Sequence, residues 1–517
     1  MQNIDVLDSS LRDGTQAEGI AFSIQDKLRI LMALDELGIP FVEAGNPGSN
    51  ENDRQFFAMA KGLTLKNSKL VAFGSTRRKN TEACNDENLL RILESGAEYV
   101  AIFGKAWDYH VTDVLSTTLE ENLEMIYDSI SFLVKQGRNV IFDAEHFYDG
   151  YKHNLDYALK TLLAAQDAGA KCLCLCDTRG GCFPSEVAKI TRAAAEHTKV
   201  QIGIHPHDDG GMAVANAITA VENGATHVQG TFLGYGERCG NANLATIIAN
   251  LQIKKDYVCI PTENLSNLSV SAREIAEISN VGIPLGTPYV GLSAFSHKGG
   301  MHVDAVLKSP DTFEHIDPEL VGNARRILMS EVAGRSTIYS KLQKVCPDIS
   351  RDSKEVSEIT NYIKKLENDG FHTEGADATF ELLVLRHLGR MKDPFELVEF
   401  KVIEELKPGK LTSFAFIKLR ANGKEEISAA EAYGPVNALD SALRKALTYF
   451  YPQINDIHLT DYKVRVLDSK SAAAAKVRVL IETSDSHKSW NTMGVSGDII
   501  EASCAALVDS YIYKLIK

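Results

Sequence analysis

His205 and His207 lie two residues apart in the alternating apolar run VQIGIHPHDD. An extended strand has a period of two, so both imidazoles face the same side. Imidazole suits Zn²⁺, Fe²⁺ and related ions, whereas carboxylate oxygens suit Mg²⁺ and Mn²⁺. The pair needs an oxygen donor to make a metal centre. Asp13, in the segment LRDGTQ, is the best candidate, and the amide oxygen of Asn241 is a further one. Two imidazoles and two oxygens would leave positions open for the carboxylate and carbonyl of a substrate. A lone His-x-His more often only caps a strand through hydrogen bonds; the convergence of four such residues points to a divalent ion, whether Mn²⁺, Mg²⁺ or Zn²⁺.

These residues converge only if the chain brings strand ends together. Residues 173–209 read as strand, Ala-rich helix, strand, with Asp177-Thr178 closing the first strand and the His pair closing the second. The same pattern runs from residue 1 to about 250. Strands are predicted at Ile4–Leu7, Phe41–Ala44, Leu70–Phe73, Tyr99–Phe103, Val140–Phe142, Cys172–Cys176, Val200–Ile204 and His227–Phe232. Helical periodicity fills the gaps, most weakly at Asp53–Lys61, and Gly38, Gly96, Gly137, Gly169 and Gly224 punctuate the helix ends. The pattern predicts a (β/α)₈ barrel rather than an open doubly wound sheet, since no glycine-rich phosphate loop follows the first strand. In a barrel, Arg12-Asp13, Glu43, Lys105, Asp143, Glu145, Thr178, the His pair and Asn241 all lie at the carboxyl ends of strands, around one mouth.

The barrel is expected over 1–262, a helical accessory region over 263–393 and an α+β region over 394–517. In the last, strands at Leu411–Leu419, Ile457–Val466, Ala474–Ile481 and Asn491–Val495 and helices at Ala438–Tyr449 and Ile500–Tyr513 suggest a degenerate repeat. Turns are expected at 333–336 and at Lys407-Pro408-Gly409-Lys410, and the Ala472–Ala475 run as a strand or hairpin entry. The chain has 517 residues and a formal net charge of −14, a poor general match to nucleic acid or anionic membrane. No apolar run approaches the roughly 18 residues of a membrane span, and the first residues read as a strand rather than a signal peptide, so a cytoplasmic location is expected. Cys172, Cys174 and Cys176 share one strand face and are expected to be reduced core residues.

Several motifs carry a resemblance. LRDGTQ at 11–16, GERCGNANL at 236–244, Asp177-Thr178 and His205-Pro206-His207, with AEHFYDGY at 144–151 and FSHKGGMHVDAV at 295–306, are similar to those of the 2-isopropylmalate, homocitrate and citramalate synthase family. The resemblance implies a Claisen condensation of acetyl-CoA with a metal-bound α-keto acid, followed by hydrolysis of the thioester. It implies metal binding by Asp13, His205, His207 and Asn241, alkoxide stabilisation by Arg12, binding of the keto acid carboxylate by Thr178, acetyl-CoA positioning or proton transfer by Glu145, and proton transfer by His302, with His297 close behind on residue type alone. Phe313 stands where the family commonly has a tyrosine, which leaves Tyr289 or His315 as replacements. Phe73, Phe103 and Asp143 are expected to shape the acceptor pocket; the two phenylalanines, if inward, favour pyruvate over 2-ketoisovalerate. GPVNAL at 434–439 and LTDYKV at 459–464 resemble the family's regulatory domain, which implies a homodimer and, for the pyruvate-accepting branch, isoleucine as effector. The competing readings are a metal-dependent aldolase or lyase, a carboxyltransferase-like barrel, and a non-catalytic binding protein.

Overall fold

The computed structural model describes residues 2–328, 335–371, 375–407, 410–467, 475–485 and 488–517. Eight parallel strands form its first part: β1 (Asp5–Asp8), β2 (Phe41–Gly45), β3 (Lys69–Ser75), β4 (Tyr99–Lys105), β5 (Asn139–Glu145), β6 (Cys172–Asp177), β7 (Gln201–Pro206) and β8 (His227–Gly230). Each pairs with the next, and β8 returns to β1 with Asp5 beside His227, which closes the barrel. Period-two alternation divides the side chains. Leu7, Phe41, Val71, Ala101, Ile141, Cys172 and Cys174 fill the inside. Val6, Val42, Val100, Val140, Leu173 and Val228 face the helices. Such strands are buried on both faces, so they read as short continuous apolar runs.

The helices that cover them are α1 (Ile24–Leu37), α2 (Glu51–Ala60), α3 (Glu87–Ser95), α4 (Leu119–Lys135), α5 (Phe147–His153), α6 (Leu155–Asp167), α7 (Pro184–His197), α8 (Ala213–Glu222) and α9 (Leu244–Lys254). The weakly signalled helix after β2 is thus present. Ser23 caps α1 in a reciprocal box with Asp26, and Gly38, at φ 95°, ends it in the left-handed conformation that returns the chain to β2. All nine cysteines are free thiols, and the three on β6 are buried.

Residues Met1–Phe295 with Ile316–Arg325 form one compact unit, and Ser296–His315 with Arg326–Lys517 a second. The first unit adds α10 (Leu268–Ser279), which packs on α1. The second begins with α11 (Gly300–Lys308), α12 (Arg335–Val345), α13 (Lys354–Asn368) and α14 (Asp377–His387). Two β-β-β-α repeats follow. β9 (Phe395–Lys407), β10 (Lys410–Ala421) and β11 (Lys424–Ala432) lead into α15 (Pro435–Phe450); β12 (His458–Val466), β13 (Val477–Ser484) and β14 (Ser489–Ser496) lead into α16 (Ile499–Ile516). Leu439, Leu443 and Leu447 of α15 and Leu507 and Tyr511 of α16 share one core. Lys407 pairs with Lys410 at the end of the antiparallel ladder between β9 and β10. Residues 333–334, 408–409 and 472–474, on which three of the expected turns and entries fall, lie outside the described residues.

Asp8, at the mouth end of β1, is fully buried and accepts hydrogen bonds from the Ser10 N–H (2.8 Å) and hydroxyl (3.1 Å). Burial outweighs these bonds and pushes its carboxyl up to about 7. The folded protein therefore holds a proton that the unfolded chain loses near pH 4, and the stability of the neutral form, full below about pH 4, is lost as pH rises to about 7. Asp8→Asn is neutral throughout. Its unfolding temperature relative to the parent is expected to rise between pH 4.5 and pH 8; a difference independent of pH in paired melts would contradict this.

Candidate active site

The ends of β1 and β7 bring the proposed ligands together. Asp13, His205 and His207 each supply one ligand atom, and these atoms lie within 4.8 Å of one another. His205 Nε2 stands 3.7 Å from Asp13 Oδ2. The Asn241 amide nitrogen donates to Asp13 Oδ1 at 2.9 Å. Among the described residues, His207 Nδ1 and Asn241 Oδ1 are buried without a hydrogen-bond partner. Buried polar atoms without a partner are costly. Two of them beside a carboxylate and a second imidazole make a donor set that fits a divalent ion. Burial and the neighbouring His205 push the His207 imidazole down to about 4, so it is a free base at neutral pH. Burial alone would raise the Asp13 carboxyl, but Arg12 and the two imidazoles overcome it and hold it well below the usual carboxylate range.

The loop after β8 positions Asn241. Gly240 N–H donates to Glu237 O, Asn241 N–H to Gly234 O, and Ala242 N–H to Pro206 O at the end of β7. Gly236 lies at φ 154°, where a Cβ would stand 2.2 Å from the Asn241 amide nitrogen. Gly236→Ala is expected to displace Asn241 from Asp13 and to lower stability by about 1–3 kcal/mol. Urea denaturation checks this; an unchanged midpoint would contradict it.

Arg12 is held from three sides. Its Nε donates to Glu43 Oε2 at 2.6 Å, its Nη1 donates to Asp13 Oδ2 at 2.7 Å, and its guanidinium lies 3.8 Å from the centre of the Phe73 ring. Desolvation works against the charge, yet Glu43 and Asp13 raise the guanidinium further above its ordinary value. Ser9 also donates to Glu43 Oε2, at 2.5 Å. Phe73 and Phe103 stack at 5.3 Å between ring centres. They line a cavity of about 250 Å³ together with Arg12, Asp13, Gln16, Asp143, Glu145, Cys176, Thr178, both histidines, Glu237 and Arg238. Both phenylalanines therefore face inward. Burial, aided by the Glu43 carboxylate, pushes Asp143 up to about 7. Glu145 pairs with Lys105. The Thr178 hydroxyl accepts from the His146 N–H at 2.9 Å, which leaves its own hydrogen to donate. Arg238, at φ 60°, donates to Asp209 and to the Thr178 carbonyl.

His302 belongs to the second unit, where its ring stacks on Phe313 at 4.1 Å. His297 pairs with Glu314 at 3.0 Å. Tyr289, considered as a substitute for the missing tyrosine, is buried in the first unit, and its hydroxyl donates to Asn250 Oδ1 at 2.8 Å.

The sequence did not single out Gln229, which lies between His205 and Asp143 on the barrel floor. The alternation His227, Gln229, Thr231 at inward positions was the available signal. In the second unit, the two regulatory-type motifs meet at a cavity of about 350 Å³ lined by Tyr433, Gly434, Pro435, Val436, Asn437, Asp440, Leu459 and Tyr462.

Comparison with known proteins gives a class first. The HMGL-like family matches residues 3–281, the homocitrate synthase post-HMGL domain-like family residues 289–370, and the LeuA allosteric (dimerisation) domain residues 374–515. The HMGL-like family is divalent-metal dependent. An (R)-citramalate synthase of Aquifex aeolicus is 49% identical over 100% of this chain and 98% of its own length. One from Synechocystis is 49% identical over 98% of this chain and 95% of its own. A Methanopyrus kandleri protein named "Probable 2-isopropylmalate synthase" is 30% identical over 98% and 97%. The chain belongs to the (R)-citramalate synthase family.

Proposed function

We propose that the chain condenses acetyl-CoA with pyruvate and hydrolyses the resulting thioester, giving citramalate and CoA as a step toward isoleucine. The observation that carries the acceptor assignment is the cavity of about 250 Å³ narrowed by the stacked Phe73 and Phe103, beside a donor set that fits a divalent ion. Asp13, His205 and His207, with Asn241 alongside, would hold Mn²⁺, Mg²⁺ or Zn²⁺. A bound ion would supply Lewis-acid polarisation of the keto acid carbonyl. Arg12 holds permanent positive charge where that carbonyl oxygen becomes an alkoxide. Thr178 donates to the acceptor carboxylate. Asp143 completes the pocket wall. Glu145 positions acetyl-CoA or moves a proton, and His302 assists proton transfer. The enolate carbon bonds to the pyruvate carbonyl carbon, water then attacks the thioester carbonyl, and CoA leaves as the thiol.

Thiol release with Mn²⁺ or Mg²⁺, comparing pyruvate, 2-ketoisovalerate and 2-ketoglutarate, tests the acceptor. Pyruvate is expected to be strongly preferred. Preference for 2-ketoisovalerate would replace the reading with a 2-isopropylmalate synthase, and no thiol release from any acceptor would favour an aldolase or lyase.

The chain's division at 262 and 393 belongs to the same proposal; three successive family matches, over 3–281, 289–370 and 374–515, support three parts in this order. The LeuA-type domain supports a homodimer, and the cavity between its two motifs is proposed to take isoleucine. Isoleucine titrated against thiol release tests this; indifference of the rate would remove the effector. Among the described residues no helix is long and apolar enough to cross a membrane, which fits the proposed cytoplasmic location.

A further inference from the structure

We infer that Gln229, oriented by Asp143 and His227, fixes the ring of His205 so that Nε2 is the nitrogen left to bind an ion. The inference rests on the metal assignment proposed above and adds the residues that prepare one ligand for it.

The four side chains form a buried layer on the barrel floor: Gln229 is 0% exposed, His227 1%, Asp143 3% and His205 5%. A carboxamide has two donor hydrogens on nitrogen and one acceptor oxygen. Gln229 Nε2 donates to Asp143 Oδ1 at 2.9 Å and toward His227 Nε2 at 3.4 Å. Burial pushes His227 down to about 4, so its ring is neutral and can accept. One donor hydrogen of Gln229 is thereby committed to Asp143, and the other lies toward His227. With Asp143 ionised, turning the amide over would set its oxygen against a carboxylate oxygen. Gln229 Oε1 is therefore the atom that faces His205 Nδ1, at 2.8 Å. An oxygen there accepts from Nδ1–H, which places the imidazole proton on Nδ1 and leaves the lone pair on Nε2. Nε2 is the nitrogen that faces Asp13 Oδ2. An imidazole ligand is commonly fixed by the partner of its other nitrogen, and loss of that partner weakens metal binding about 10–100-fold.

A consequence follows for the acceptor pocket. Asp143 lines the cavity and also reaches a metal ligand through one intervening residue. Substitutions at position 143 that remove the oxygen facing Gln229 therefore change metal affinity as well as pocket shape.

The test uses the metal-free full-length protein and Mn²⁺ alone, with free Mn²⁺ followed by electron paramagnetic resonance. Gln229→Leu is expected to weaken binding about 10–100-fold. Asp143→Leu is expected to weaken it less, because the amide is freed to turn but not removed. Asp143→Asn, which still presents an oxygen to Gln229 Nε2, is expected to stay within about threefold of the parent on the same scale. In the metal-free parent labelled with ¹⁵N-histidine and assigned through His205→Asn, the His205 ring is expected to carry its proton on Nδ1. Leucine variants that fold and bind Mn²⁺ like the parent would overturn the inference, as would a parent ring protonated on Nε2. If the leucine variants do not fold, the parent spectrum decides. A parent that binds no Mn²⁺ would overturn the metal assignment itself, an outcome distinct from the other two.

Discussion

Asp13→Asn is expected to lower kcat/KM for thiol release by at least about 10³ and to abolish tight Mn²⁺ binding, because Lewis-acid stabilisation of several kcal/mol is lost at about 1.4 kcal/mol per tenfold. The substitution is nearly isosteric, and Asn241 stays in hydrogen-bond range of the new side chain. What disappears is the anionic oxygen near His205 Nε2. Against its burial, Arg12 and the two imidazoles hold the carboxyl well below its usual range, so it is ionised at neutral pH. Activity should not return when the assay pH is raised. Millimolar Mn²⁺ that restores the parent rate would contradict an essential role for Asp13 as a ligand. Full activity of Asp13→Asn without any added ion would contradict the whole metal reading.

Arg12→Lys is expected to lower kcat by about 10²–10³ while leaving Mn²⁺ affinity within a few-fold. Lysine keeps a positive charge but loses the planar fork with which Arg12 spans Glu43 and Asp13 while lying on Phe73. Glu43 is fully buried, so losing its partner leaves an uncompensated charge. A fall in stability of about 3–5 kcal/mol is expected for Arg12→Met and less for Arg12→Lys. Because stability and rate both change, the deciding comparison is kcat at a temperature where both proteins are fully folded. An unchanged kcat there would reduce Arg12 to a structural partner of Glu43.

Much of this site was legible in the sequence because a barrel converts local pattern into position. Short apolar runs that end in or lead into Arg12-Asp13, Glu43, Asp143, Thr178 and His205-x-His207 had to place those residues at one mouth once eight strands were counted, and the barrel strands in the structure begin and end within a few residues of the expected ones. The contacts among them were less legible. Nothing in the sequence pairs Glu43 with Arg12, 31 residues away, or Gln229 with Asp143, 86 residues away; closure of the barrel makes those neighbours. In the second unit, β9 and β11 were missed for a different reason. FELVEFKVIEELK and KEEISAAEA are rich in Glu, Lys and Ala, which favour helices locally, and the sheet overrides that preference through pairing with β10. Phe313 stacks on His302, an apolar ring that supports the imidazole by contact and offers it no hydrogen.

The central claim is that a carbon–carbon bond forms between the acetyl methyl carbon and the pyruvate carbonyl carbon. The direct measurement is ¹³C NMR of a reaction containing [2-¹³C]acetyl-CoA, pyruvate and Mn²⁺, with the ion chelated before acquisition. The account predicts that the label appears in the methylene carbon of citramalate, with one CoA thiol released per citramalate formed. Release of CoA with the label recovered only in acetate would mean simple thioester hydrolysis and would contradict it.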